Sequence, residues 1–126
     1  MRARLLMIVL VALATRAQAQ SLQVIGYSGN LGEWELSAIV AEKVVNRTKE
    51  FSGPLTMRHV GICTQDGPEE KAGEIRFQLS KSQSGMQATI LVDGIECRYS
   101  GRLSDRYIGS MDCPDRQAVP LTIWLK

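Results

Sequence analysis

Long apolar segments are scarce in this sequence, and the longest lies close to its start. Residues 5–14 are all apolar, but a membrane-spanning helix needs roughly 20 such residues, which disfavours a retained anchor. Arg2 and Arg4 precede this run and Ala17-Gln18-Ala19 follows it, as in a cleavable bacterial signal peptide. We expect residues 1–19 to be that signal peptide, cleaved after Ala19, and residues 20–126 to be one periplasmic or secreted domain.

An excess of charge of one sign is also lacking once this leader is set aside. The chain has 15 Lys and Arg against 13 Asp and Glu, and Arg2, Arg4 and Arg16 lie in the leader, which leaves 12 against 13. A near-neutral domain has no basic face for nucleic acid and no surplus of cations for an anionic membrane surface. We expect neither nucleic acid nor a membrane as a partner after cleavage.

Groups that commonly carry out chemistry are few. His59 is the only histidine, and the sequence contains no Gly-x-Ser-x-Gly and no Cys-x-x-Cys segment. Together with His59, the residues Cys63, Cys97 and Cys113 have the composition of a Cys3His zinc site, but cysteines of an exported chain tend to oxidise. We therefore expect no catalytic residues, no metal site and no cofactor, and we do not expect an enzyme.

The sequence does contain short segments in which apolar and polar residues alternate. The clearest pair, residues 86–92 and 95–103, flanks Asp93-Gly94, the usual two-residue turn of a β-hairpin. Pairing outward from this turn sets Ile90 opposite Cys97 and Ala88 opposite Tyr99. Because side chains alternate between the two faces of a strand, one face of the hairpin carries a core set: Met86, Ala88, Ile90, Val92, Ile95, Cys97 and Tyr99.

A Tyr-x-Gly-x-apolar repeat, at residues 99–103 and 107–111, extends the same parity to the next strand. If both strands keep the same inward face, Gly101 lies opposite Gly109 and Cys97 opposite Cys113. The paired glycines permit curvature, which we expect, or close packing of a ring or approach of a ligand. Tyr99, Tyr107 and His59 are candidates either for ligand contact or for the core.

The same alternation of side chains favours one pairing of the cysteines. Opposed cysteines in an exported domain favour a Cys97–Cys113 disulfide, and the two pairings that involve Cys63 remain alternatives. The third cysteine, by preference Cys63, is then either a buried thiol or part of a mixed disulfide or a dimer.

Further alternating segments bring the predicted strand count to seven or eight. Residues 34–40 alternate cleanly after Gly32 and are predicted as a strand, although helical spacing at residues 36–44 competes. Pro120 places the start of the last strand at an edge or a bulge. The other strands are expected around residues 22–27, 55–63, 75–79 and 119–125. Short turns between consecutive strands predict an all-β antiparallel meander, either a small barrel or a β-sandwich.

The Gly32-Glu33-Trp34 segment at the start of a strand meander resembles the calycin group of small barrels, which includes lipocalins, avidins and small bacterial protease inhibitors. The resemblance implies that Trp34 closes one end of a barrel and packs against a basic residue of the last strand, for which Lys126 is the matching position. The second and third lipocalin motifs and a biotin-binding ring are missing. The leader, the Gly-x-Trp-Glu-Leu start and the Tyr-x-Gly ending are also similar to small secreted bacterial proteins to which no activity is attached.

Three classes of function are consistent with these observations. The first is a non-catalytic binding or inhibitory module whose partner is a small apolar ligand or a protein. The second is a cell-envelope structural or interaction protein with no small-molecule site, and the third is an exported hydrolase. An apolar cavity larger than a few water molecules would favour the first class, a filled interior the second, and an acidic residue bonded to His59 the third.

Overall fold

The computed structural model describes residues 21–29, 33–60 and 69–126, and every regular element in these ranges is a β-strand. The predicted leader, Gly32 and Cys63 lie outside them. The eight strands are β1 (Ser21–Ser28), β2 (Trp34–Val45), β3 (Thr48–His59), β4 (Glu70–Leu79), β5 (Gly85–Val92), β6 (Ile95–Leu103), β7 (Tyr107–Asp112) and β8 (Val119–Leu125). The predicted all-β fold is confirmed.

The strands form a closed antiparallel meander in which each strand pairs with the next and β8 pairs back with β1. Backbone bonds in both directions between Gln23 and Lys126 extend this last pairing. The β1 partners on β8 begin at Thr122, so Pro120 pairs only with Ser110 of β7 and has one neighbouring strand. The fold is therefore a barrel and not a sandwich, and Pro120 occupies a local edge.

The segment that begins at Trp34 is a strand, so the competing helical pattern at residues 36–44 is wrong. Leu36, Ala38 and Val40 are buried, whereas Ile39 between them is 66% exposed. Apolar residues at every second position bury a continuous row on a strand but only part of a row on a helix. Burial of this row outweighs the helical spacing.

Both predicted hairpin registers are confirmed. Ile90 lies opposite Cys97 and Ala88 opposite Tyr99, and the turn residues Asp93 and Gly94 have φ angles of 52° and 75°. In the next pair, Gly101 lies opposite Gly109 and Leu103 opposite Tyr107. This parity sets the odd-numbered residues of β6 and β7 toward the barrel interior.

Cys97 and Cys113 form a disulfide, with their Cα atoms 4.3 Å apart, as the register predicts. The bond joins the start of β6 to the end of β7, next to the apolar interior. Closing a loop of about 15 residues contributes on the order of 3 kcal/mol to stability. It thus fixes one wall of the barrel at the end where those strands meet.

Inward side chains fill the middle of the barrel. The fully buried set includes large residues from most of the strands, so the interior at this level is a packed core without a channel. Its members are Val24, Leu36, Val40, Leu55, Ile75, Phe77, Met86, Ile90, Tyr99 and Ile123.

The two paired glycines leave room for groups that a side chain would displace. A Cβ atom at Gly101 would overlap the hydroxyl oxygen of Tyr99 and lie 2.7 Å from its Cζ atom. A Cβ atom at Gly109 would overlap the carbonyl oxygen of Ser100, on the neighbouring strand. Gly101 thus accommodates a packed ring, and Gly109 permits close approach of two strands.

Substituting Gly109→Ala should destabilise the barrel by about 3 kcal/mol or more, because the added methyl meets backbone and not a flexible side chain. Gly85→Ala is the matched control, since its nearest neighbour would be Oγ of Ser80 at 3.7 Å, and should change stability by less than about 1 kcal/mol. Denaturant unfolding measures both. Equal losses in the two variants would contradict the close approach at Gly109.

Candidate functional site

One end of the barrel, here called the mouth, brings together several predicted residues. β1 ends there at Ser28, β2 begins at Trp34, and β3 ends at His59. The β5–β6 turn and the β7–β8 connection reach the same end, because antiparallel strands alternate in direction. The Cys97–Cys113 disulfide also lies on this side of the core.

A cavity of about 220 Å³ opens at the mouth, and we call it the cup. Its volume is about that of seven water molecules at about 30 Å³ each. Most of its wall is apolar and comes from β3 and from β5 to β8. The apolar lining consists of Met57, Ile90, Val92, Ile95, Met111, Val119 and the Cys97–Cys113 disulfide.

Trp34 and His59 form the aromatic part of the mouth. They lie directly opposite each other on β2 and β3, and their rings stack with centroids 4.5 Å apart and an interplanar angle of 5°. Nζ of Lys71, on β4, lies 5.4 Å from the centroid of Trp34, within the range of a cation–π contact. The ring positions of Trp34 and His59 are thereby coupled.

The basic residue that contacts Trp34 is therefore Lys71, and the position assigned to Lys126 by the calycin resemblance is wrong. Lys126 follows β8 and bonds to Gln23 near the start of β1, whereas Trp34 lies opposite Ser28 at the end of β1. Five residues of extended chain separate Gln23 from Ser28, which is roughly 17 Å. Trp34 and Lys126 lie at opposite ends of the barrel.

Two polar atoms at the mouth have no hydrogen-bond partner within the described ranges: Oγ of Ser28 and Nε2 of His59. Ser28, which lines the cup, is only 6% exposed. Burying a hydroxyl without a partner costs roughly 1–3 kcal/mol. A molecule bound in the cup could satisfy the Ser28 hydroxyl, whereas His59 is not among the residues that line the cup.

The charged groups at the rim are each accompanied by an opposite charge. Nζ of Lys71 lies 3.7 Å from Oδ2 of Asp93 and 4.0 Å from Oε1 of Glu69. Nε of Arg116 lies 3.9 Å from Oδ2 of Asp115. These exposed pairs add little to stability, but among the described residues of the rim they leave no concentration of charge of one sign.

Tyr99 and Tyr107 are core residues, and the residues that line the cup do not include them. Both are buried. The hydroxyl of Tyr99 donates to the carbonyl oxygen of Tyr107 at 3.3 Å. The hydroxyl of Tyr107 donates to the backbone carbonyl oxygen of Gln83 at 2.7 Å. Burial raises the pKa of Tyr99 to about 12 and also raises that of Tyr107.

A larger hollow of about 500 Å³ lies on the outside of the barrel, between β3, β4 and β5. Its lining includes Pro54, Glu74 and Leu91, which point away from the core, and Gly53 and Gly73. At both glycines an added Cβ would overlap a neighbouring carbonyl oxygen. These glycines thus permit close approach of neighbouring strands, and the hollow is a depression of the outer surface with fewer apolar walls than the cup.

Two members of the Cys3His set, Cys97 and Cys113, are joined to each other and are not free thiolates. Over residues 21–29, 33–60 and 69–126, no three His, Cys, Asp or Glu side chains converge as metal ligands. No helix within the same ranges is long and apolar enough to cross a membrane.

Ser28, Met57 and Lys71 are site residues that the sequence patterns did not single out. The alternation of β1 could have found Ser28, because Val24 and Gly26 on the same face are buried. Lys71 offered no such signal, because a charged residue in an alternating segment is normally assigned to the solvent face.

Comparison with protein-family models, with curated proteins and with solved structures finds no match for this chain.

Raising the pH from 10 to 12 should weaken the fold through Tyr99. Its folded-state pKa of about 12 exceeds the usual 10, so its contribution is complete below pH 10 and is lost as the pH rises through 12. Relative to Tyr99→Phe, which cannot ionise, the wild type should lose about 2 kcal/mol of unfolding free energy over this interval. Identical pH profiles for the two proteins in denaturant unfolding would contradict the burial of the Tyr99 hydroxyl.

Proposed function

We propose that this protein is a non-catalytic binding module that holds a small, largely apolar molecule in the cup. The observation that carries the proposal is an apolar cavity of about 220 Å³ at the mouth of an otherwise filled barrel. Drug-sized ligands usually occupy about 300–1,000 Å³, so the ligand of the cup is smaller than these. Apolar walls with a few convergent polar groups are typical of such sites.

Export is part of the same proposal. The Cys97–Cys113 disulfide is compatible with an oxidising compartment outside the cytoplasm, and residues 1–19 have the pattern of a signal peptide. The module would then act in the periplasm or outside the cell, without a cofactor. A fixed disulfide in the wall of the cup suits a site that is already shaped before its ligand arrives.

The hydrolase alternative has less support. A histidine that acts as a general base needs a group that orients it within hydrogen-bond reach. Within the described part of the chain, Nε2 of His59 has no hydrogen-bond partner, so no side chain orients the ring through that nitrogen, and the ring stacks on Trp34. The interaction-protein alternative rests on the filled middle of the barrel, where Phe77 and Tyr99 are fully buried. The cup at the mouth is what favours the binding module over it.

Calorimetric titration with 1-octanol tests the proposal. Transfer of about seven methylene groups into the cup contributes about 0.8 kcal/mol each. The cost of association offsets part of this gain, so we expect a dissociation constant on the order of 1 mM. Ile95→Trp should abolish this binding, because Ile95 lines the cup and is 44% exposed, so that a larger ring there can fill the cavity without disturbing the core.

Ile108→Trp is the matched control. Ile108 is also an isoleucine and is 50% exposed, but it lies on the outer face of β7, next to buried Tyr107. This variant should bind 1-octanol as the wild type does. No heat of binding in the wild type, or equal binding by Ile95→Trp, would refute the proposal.

A further inference from the structure

We infer that the ligand of the cup carries a neutral hydrogen-bonding head group, a hydroxyl or a primary amide, on a short apolar body. This inference rests on the proposed function and specifies the chemistry of its ligand. It follows from which groups at the mouth already have partners and which do not.

The first step is the position of the unpartnered polar atoms. Ser28 lies opposite Trp34, and Trp34 lies opposite His59. The hydroxyl of Ser28 and Nε2 of His59, both without a hydrogen-bond partner among the described residues, therefore flank Trp34 on the two neighbouring strands. The polar side of the mouth is thus built by β1, β2 and β3.

The second step is the apolar part of the cup wall. Val92, Ile95, Met111 and Val119 come from β5, β6, β7 and β8 and line the cup with apolar atoms. A molecule with one polar end would place that end toward Ser28 and its apolar body toward these residues. Asp93, Asp115 and Arg116, in the connections between these strands, also line the cup. Polar groups thus lie at the rim and at Ser28, and apolar atoms lie on the strands, so the cup fits an amphipathic ligand.

The third step concerns the charge of the head group. Lys71 already faces Asp93 and Glu69, and Arg116 faces Asp115. An anionic head group would compete with those carboxylates for the cations, and a cationic one would compete with the cations for the carboxylates. A neutral hydroxyl or amide disturbs neither pair and can both donate and accept, as can the Ser28 hydroxyl.

Three eight-carbon ligands test this assignment in calorimetric titrations at neutral pH: 1-octanol, octanoate and octylammonium. Their apolar bodies are matched, so differences in affinity report on the head group. We expect 1-octanol to bind at least about tenfold more tightly than either ion. Equal or tighter binding of octanoate or octylammonium would overturn the assignment of a neutral head group while leaving the binding module intact. No binding of any of the three would refute the proposed function, and the assignment with it.

Ser28→Ala identifies the group that receives the head. It should weaken 1-octanol binding about tenfold. Because the Ser28 hydroxyl has no described partner, its removal should not lower the midpoint of thermal unfolding, as removal of a structural hydroxyl would. Ser110→Ala, at an exposed position of β7, is the matched control and should bind 1-octanol normally. Unchanged 1-octanol affinity in Ser28→Ala would refute this role of Ser28.

Discussion

The pairing of β1 with β8 is the constraint on which the rest of the structure depends. Without it, the meander would be an open sheet with two exposed edges and an interior accessible from the side. With it, every strand has two neighbours, and the inward side chains enclose a single core. The backbone bonds between Gln23 and Lys126 hold the two ends of the domain together. Closure also sets the circumference, and thereby the number of side chains needed to fill the barrel.

The difference between the two levels of the barrel follows from which side chains point inward at each level. At the middle, the large residues Phe77 and Tyr99 are fully buried on either side of Ala88, and Gly101 leaves space for the Tyr99 ring. At the mouth, Trp34 stacks on His59 at one side, while the disulfide holds the opposite wall. The rings stay near their own wall and the disulfide is compact, so a cavity remains between them. The cup thus exists because the inward side chains of the layer nearest the mouth do not fill the centre of the barrel.

Much of the fold follows from local patterns, and little of the site does. The Asp93-Gly94 turn and strict alternation determine two hairpin registers, and these registers bring Cys97 to Cys113. By contrast, the stack of Trp34 on His59 depends on the register between β2 and β3, which follows from the two-residue turn Asn46-Arg47, where both φ angles are positive. Asn-Arg is a weaker turn signal than Asp-Gly, so this register is harder to predict from the sequence. The contact between Lys71 and Trp34 is harder still to predict from the sequence. Positions that face the interior of a barrel are usually apolar, and a lysine is normally assigned to the solvent face. Lys126 was assigned to Trp34 from resemblance alone, and the direction of β8 places it at the far end.

Nuclear Overhauser contacts between β1 and β8 test closure most directly. The reciprocal bonds of Gln23 and Lys126 make alternate pairs along this ladder non-hydrogen-bonded, namely Val24 with Leu125 and Gly26 with Ile123. Cα atoms in such pairs lie about 4.5 Å apart, so a closed barrel predicts strong Hα–Hα contacts at both pairs and slow exchange of the intervening Ile25 amide. Absence of both contacts, with rapid amide exchange along β1 and β8, would show an open sheet and contradict the barrel.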